Sequence, residues 1–462
     1  MGSWIADVPL IGGWLPVVVD VAAIGATLLL LVLLLGPVPP RTQGRPVAGW
    51  RRVIAALVGV LAGGAVGLVL CWLLGDQLNL FDVSLTPISR AWVAGAFASL
   101  GLAVSAVIVG RRGRRRVGVR PLATVAATAA LLAGALGVNA DFGQYTTLGS
   151  LTNASIAPPL STSLLAIQKA GAPGPASRSA DSARPLWHNA VAQGMPRTGV
   201  IGSVTIPATV SHFAARGAYV YLPPAALVSH PVALPVLIMM SGQPGSPGNV
   251  ISSGRIAEVF DAFAASHDGL APIVVAPDQL GAPDRNPMCV DGSLGASATY
   301  LTVDVPNWIR SHLTVQSSPG AWAIGGFSQG GTCSIQLGAA HAELFSAIVD
   351  ISGQLAPKNG GLTQTIAIGF GGDAPAYRAA LPEAVLAGHA PYRDMVAVFG
   401  VGQLDARYGP VAARMTAAAS AAGVQSTEQV SPGTGHDWHT VQWVLIHGLD
   451  PVYVRLGLLK SS

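Results

Sequence analysis

The chain has 462 residues, of which 51% are hydrophobic and only 10% charged. That balance excludes a protein that is soluble along its whole length, and the length suggests two or three units. The net charge of +4 does not indicate nucleic acid, because ten arginines fall in two short loops between long apolar stretches.

Four stretches in the first 140 residues are long enough to cross a bilayer: about Val17 to Gly36, Val53 to Leu74, Ala91 to Gly110 and Leu122 to Val138. A secretory leader is a poor description of the first, since Asp7 and no Lys or Arg precede it. The loop after it carries Arg41, Arg45, Arg51 and Arg52. The loop between the third and fourth carries Arg111, Arg112, Arg114, Arg115, Arg116 and Arg120. The loop between the second and third has Asp76, Asp82 and Arg90. By the positive-inside rule both arginine loops are cytoplasmic, so the N-terminus and everything after about Asn139 lie outside the plasma membrane. The arginine runs sit where anionic lipid is the expected partner. Asp20 is the sole ionisable residue noted within these stretches, so a polar transport path is not expected.

Residues 140–199 read as a linker and docking segment, with a run of small residues from Ala170 to Ala180 and with Tyr145 and Trp187 as docking side chains. From Val200 onward, short apolar strands alternate with helical stretches. The expected strands are Val200 to Ile206, Ala218 to Leu222, Val236 to Met240, Ile273 to Ala276, Ala321 to Ile324, Ala347 to Ile351, Met395 to Phe399 and Gln425 to Val430. Expected helices include Ile256 to Ala265, Asp304 to Leu313, Gly331 to Ala340 and His439 to His447. This pattern predicts a mostly parallel, doubly wound sheet covered on both faces. The expected division is 1–139 for the four-helix membrane region, 140–199 for the linker and 200–462 for the α/β domain. Cys71 falls in the second apolar stretch and reads as an inert buried thiol. Cys289 and Cys333 fall in the exported part, where a disulfide is permitted. A bridge between them would pin the 287–292 loop beside Ser328; the alternative is two free buried thiols.

The residues Gly326, Phe327, Ser328, Gln329 and Gly330 form a Gly-x-Ser-x-Gly pentad between an expected strand and an expected helix. With 56 glycines in the chain, roughly 0.4 such pentads arise by chance, so context must carry the assignment. A sharp strand-to-helix turn there exposes the serine oxygen and turns the next N–H toward a reacting carbonyl. Such a serine needs a base and an orienting acid, and parallel sheets gather these at their carboxyl ends. His436, in a Gly/Pro loop after the last strand, is the expected base; His439 is its competitor. Asp405, just past a strand, is the expected acid, with Asp373 its rival and Glu383 and Asp394 behind. The oxyanion donors are expected at Gln329 and at Gln243, since Pro244 has no N–H. No metal or cofactor motif is evident, so neither metal nor cofactor is expected.

Trp322 to Thr332, together with Gly435, His436, Asp437 and Trp438, resembles the esterase D and mycolyltransferase branch of the α/β-hydrolases. Ser241, Gly242 and Gln243 resemble the oxyanion loop of that branch, and the resemblance spans roughly Val200 to Leu459. It implies acyl-ester chemistry through a Ser, Asp/Glu, His triad, carried onto Ser328, Asp405 and His436. Two features depart from the branch. Val441 stands where a second Trp often follows, the next being Trp443, and no tight motif marks the acid. Hydrolysis to water and transfer to a sugar hydroxyl both stay open. The resulting expectation is a membrane-anchored serine esterase or acyltransferase acting on an acyl ester or acyl glycolipid outside the membrane. The alternative is a catalytically silent hydrolase-fold binding module or scaffold of the cell envelope.

Overall fold

The computed structural model describes residues 3–36, 49–109, 116–152, 154–173, 183, 185–186 and 194–460. The chain divides into two compact units, Met1–Thr152 and Asn153–Ser462. The cut falls inside the stretch read as a linker.

The first unit is built on four long helices: α1 Trp14–Leu35, α2 Gly49–Leu70, α3 Pro87–Val109 and α4 Arg116–Phe142. The α2 helix runs on as a π-helical turn over Cys71–Gln77. All four are long and apolar enough to cross a bilayer, which makes the chain a candidate multi-pass membrane protein. Each extends a few residues past its apolar stretch, because hydropathy marks the lipid-facing core while helical hydrogen bonding continues through flanking Arg51, Arg52 and Arg120. Only 17% of the most apolar window of α1 is buried, and side chains such as Val21, Ile24 and Val32 point outward. A helix apolar on its outer face suits hydrocarbon rather than water.

Small residues set the approach of α2 and α3. A methyl group at Gly63 would overlap the Phe97 carbonyl, and one at Gly101 would overlap the Gly59 carbonyl. Close backbone contact of this kind is the usual route to helix association where no hydrophobic gain separates protein from lipid. At one end of the bundle Arg52 donates to the Gly36 carbonyl at 3.2 Å. At the other, Arg90 pairs with Asp76 at 2.7 Å, and Asp141 accepts from the hydroxyls of Thr86 and Ser89. Asp141 lies at the end of α4, just past the expected fourth stretch. Most of the arginines used to assign orientation (Arg41, Arg45, Arg111, Arg112, Arg114 and Arg115) lie outside the described residues.

The second unit opens with segment 154–173. Helix α5, Thr162–Ala170, is capped by the Ser161 hydroxyl and joined to the body through buried Gln168. The Gln168 amide donates to the Ala226 carbonyl at 2.7 Å, and its oxygen accepts from Thr314 N–H at 3.1 Å. The 174–180 part of the small-residue run, together with Trp187, lies outside the described residues.

The sheet strands are β1 Val200–Val204, β2 Ala218–Leu222, β3 Val236–Met240, β4 Ile273–Ala276, β7 Trp322–Phe327, β8 Ala347–Ile351, β9 Val396–Gly402 and β10 Gln425–Ser431. A separate small hairpin comprises β5 Asp291–Gly292 and β6 Gly295–Ala296. The sheet order is β1-β2-β4-β3-β7-β8-β9-β10. The β1–β2 and β2–β4 pairs are antiparallel, and the pairs from β4 through β3 to β10 are parallel. The fold is therefore four apolar helices followed by a mixed, mostly parallel eight-stranded α/β-hydrolase sheet. The central strands read as unbroken apolar runs because both faces are covered, and β2, β3, β7 and β8 are buried at every position. The long connection between β8 and β9, where no helix was expected, contains helix α9, Leu362–Phe370, and two shorter helices. The helices that matter below are α6 Ile256–Ala265, α7 Val305–His312, α8 Gln329–Ala340, α10 Gly409–Ala421 and α11 Trp438–His447.

One buried carboxyl breaks the apolar pattern. Asp350 of β8 lies under the start of α8, where a methyl group at either Gly331 or Gly353 would overlap it. Burial pushes its pKa up to about 7, against a smaller opposing effect from the Gly353 N–H that donates to it. The unfolded carboxyl ionises near pH ~4. Between these values the native state holds a proton that the unfolded state has released, so stability falls as pH rises through that window.

Two outcomes are expected. Gly63→Ala should destabilise the detergent-solubilised protein by about 1–3 kcal/mol through overpacking. Gly25→Ala in α1, where nothing lies within 4 Å, should be neutral or stabilising. Thermal denaturation followed by size-exclusion chromatography compares them. Asp350→Asn should gain stability relative to the unsubstituted protein on going from pH 5 to pH 8, by up to about 3 kcal/mol. Denaturant titrations at the two pH values measure that difference.

Candidate active site

The turn between β7 and α8 is dictated by two close approaches. A methyl group at Gly326 would overlap the Gly330 carbonyl, and one at Gly330 would come within 2.5 Å of the Ser241 carbonyl. Both flanking positions of the pentad therefore need glycine. Between them Ser328 takes φ 56° and ψ −115°, a conformation unusual for any residue with a side chain. Its N–H donates to the Ile351 carbonyl at 2.8 Å, which fastens the turn to β8.

The loops after β9 and β10 are stitched together. Gln403 N–H donates to the Ser431 carbonyl at 2.9 Å, and Leu404 N–H donates to the Thr434 carbonyl at 2.8 Å. Asp437 caps α11 by accepting from Thr440 N–H at 2.8 Å, and it also accepts from Gly435 N–H. His436 is held between these anchors, and the rings of Tyr408 and Phe327 lie 4.4 and 4.9 Å from its own.

The result is one line of hydrogen bonds. His436 Nδ1 lies 2.9 Å from Asp405 Oδ2, and His436 Nε2 lies 2.9 Å from Ser328 Oγ. Asp405 Oδ1 accepts from Tyr408 N–H at 3.1 Å. An ionised carboxylate can only accept, so Nδ1 carries the proton and Nε2 is left to accept from the serine hydroxyl. Asp405 and His436 are 2% and 5% exposed, so bulk water competes little for these bonds.

The competing residues are elsewhere. Asp373 caps a short helix by accepting from Ala376 N–H at 2.9 Å. Glu383 pairs with Arg414 at 2.6 Å, which holds its carboxyl below the usual range. Asp394 lies in the turn before β9 with φ 57°, and His439 is exposed on α11. Gln329 opens α8, where the first N–H groups of a helix have no partner within it. The loop after β3 passes close by: a methyl group at Gly242 would sit 3.3 Å from Ser328 Cβ, and Gln243 follows it.

Several neighbours of this site escaped the sequence reading. Gln279, Asp278, Asn286, Arg216 and Tyr408 carry no motif. The one available signal is position, since Asp278 and Gln279 lie just past the carboxyl end of β4, after Pro277. The Gln329 side chain is buried; its amide donates to Asn286 Oδ1 at 3.1 Å, and its oxygen accepts from Gln279 at 3.1 Å. Cys289 and Cys333 form a disulfide with a Cα–Cα distance of 5.6 Å, tying the loop that carries Asn286 to the helix behind Ser328.

A protein-family model described as "Putative esterase" matches residues 214–446. An uncharacterized protein of Corynebacterium glutamicum is 32% identical over 436 residues, covering 92% of this chain and 93% of its own. Among solved structures, an S-formylglutathione hydrolase from Agrobacterium tumefaciens is 18% identical, covering 58% of this chain and 99% of its own, with a TM-score of 0.47. A feruloyl esterase module from Clostridium thermocellum is 15% identical, covering 61% of this chain and 96% of its own, with a TM-score of 0.39. By the family match across residues 214–446, which holds the pentad, Asp405 and His436, the chain belongs to this esterase family.

Proposed function

We propose that the protein is a membrane-anchored serine esterase or acyltransferase whose α/β unit works on the outer face of the plasma membrane. The observation that carries this reading is the continuous Ser328–His436–Asp405 hydrogen-bond line, with 2.9 Å at each link to the imidazole. An acyl ester binds with its carbonyl oxygen toward the N–H groups of Gln329 and Gln243. Ser328 Oγ attacks the carbonyl carbon as His436 Nε2 takes the hydroxyl proton. The tetrahedral oxyanion is stabilised by the two N–H groups, and Asp405 stabilises the imidazolium. Collapse expels the alcohol, which receives the proton from His436, and leaves an acyl-enzyme. Water, or a sugar hydroxyl in the transferase mode, then gives its proton to His436 and attacks the acyl carbon. Ser328 leaves and is reprotonated.

The external location rests on the arginine loops and is supported by the Cys289–Cys333 bridge, since disulfides persist in oxidising compartments. The apolar helices then keep the α/β unit beside lipid-borne acyl esters. Acyl glycolipids are the substrates that fit this arrangement together with the resemblance to mycolyltransferases.

Ser328→Ala should abolish labelling by a fluorophosphonate probe and reduce turnover of p-nitrophenyl butyrate to background. Asp405→Asn should lower kcat by about 10³- to 10⁴-fold through loss of the working tautomer. Persistent labelling of Ser328→Ala would refute the mechanism. Product analysis with an acyl glycolipid, with and without a sugar acceptor, separates transfer from hydrolysis. A charged, membrane-impermeant fluorophosphonate should label right-side-out vesicles and spare intact inverted ones; the reverse would place the α/β unit in the cytoplasm.

A further inference from the structure

Two peptide N–H groups from distant parts of the chain stabilise an oxyanion only if their separation is held. One is expected in the loop after β3 and the other at the start of α8, and no backbone hydrogen bond is seen to join those two segments directly. A side chain does. Gln279 is fully buried, and its amide nitrogen donates to the Ser241 carbonyl at 2.6 Å and to Gln329 Oε1 at 3.1 Å. One planar amide thus bonds the first residue of the β3 loop and the residue after the serine.

The neighbouring residue secures the far end of the same loop. Asp278 pairs with Arg216 through contacts of 2.7 and 2.9 Å, and Arg216 Nη2 donates to the Gly245 carbonyl at 3.0 Å. Asp278 also accepts from the N–H groups of Arg216, Leu280 and Gly281, so this carboxylate is itself fixed. The loop from Ser241 to Gly245 is therefore gripped at both ends from the turn after β4. Gln329 is held on its other side by Asn286.

We propose that Gln279 is a positioning residue that sets the spacing between the two oxyanion donors. This assignment rests on the oxyanion site described under Proposed function. Gln279 does not touch the reacting atoms; it acts through the Ser241 carbonyl and the Gln329 side chain. Its removal therefore weakens binding of the tetrahedral state while leaving ground-state binding of the ester almost unchanged.

The test uses the full-length protein in detergent, p-nitrophenyl butyrate as substrate and butylboronic acid as the tetrahedral analogue. Gln279→Met, of similar length and without the amide, should lower kcat by roughly 10- to 100-fold with KM within about threefold. The inhibition constant for butylboronic acid should rise by the same factor as kcat falls. Should Gln279→Met fail to fold, Gln279→Asn keeps the amide one methylene too short and should show the same linked loss. An unchanged kcat, or a fall in kcat with unaltered boronate affinity, would overturn the proposal. An unsubstituted protein that neither hydrolyses the ester nor takes up fluorophosphonate at Ser328 would overturn the esterase reading, and this assignment with it.

Discussion

The contact on which the site depends is between backbones. Where β7 turns into α8, the chain passes so close to itself at Gly326 and to the β3 loop at Gly330 that neither position has room for a side chain. That crowding forces Ser328 into its positive φ, and the bond from Ser328 N–H to Ile351 holds it there. Once the turn is fixed, the serine oxygen stands clear of the sheet, and the loops from β9 and β10 meet it. The 2.9 Å link between Ser328 and His436 follows from this turn, since a relaxed backbone would carry the hydroxyl elsewhere.

The sheet was readable from the sequence because buried parallel strands are short apolar runs separated by turn residues. Val236–Met240 and Ala347–Ile351 appear as the pattern predicts. That Ser328, Asp405 and His436 meet was readable because each follows the carboxyl end of a parallel strand, where such a sheet gathers its loops. The supporting shell was not. Gln279 and Arg216 make hydrogen bonds to groups far away in the chain, and no local periodicity encodes such a meeting. Asp350 was hidden for the opposite reason: it lies inside a strand that otherwise reads as apolar core. Helices such as Leu362–Phe370 were missed because small and polar residues blur the helical period.

The two units follow different packing rules. In the α/β unit, large side chains such as Trp322, Trp438 and Phe399 are fully buried between sheet and helices. In the helical unit the closest contacts are made by Gly59, Gly63 and Gly101, and although Leu30 and Leu102 are buried, many large apolar side chains such as Val21, Ile24 and Leu61 face outward. Water drives the first arrangement through apolar burial. In hydrocarbon that drive is absent, so backbone-to-backbone fit takes its place.

The bridge between Cys289 and Cys333 spans a sequence separation of 44 and encloses the β5–β6 hairpin, α7, β7 and Ser328 within one covalent ring. A ring of that size restricts the unfolded chain by about 4 kcal/mol in the chain-entropy description. Its topology has a second effect. A single peptide-bond break anywhere between the two cysteines opens the ring without releasing a fragment. After one such cut, β7 and Ser328 thus stay covalently attached to both halves of the α/β unit.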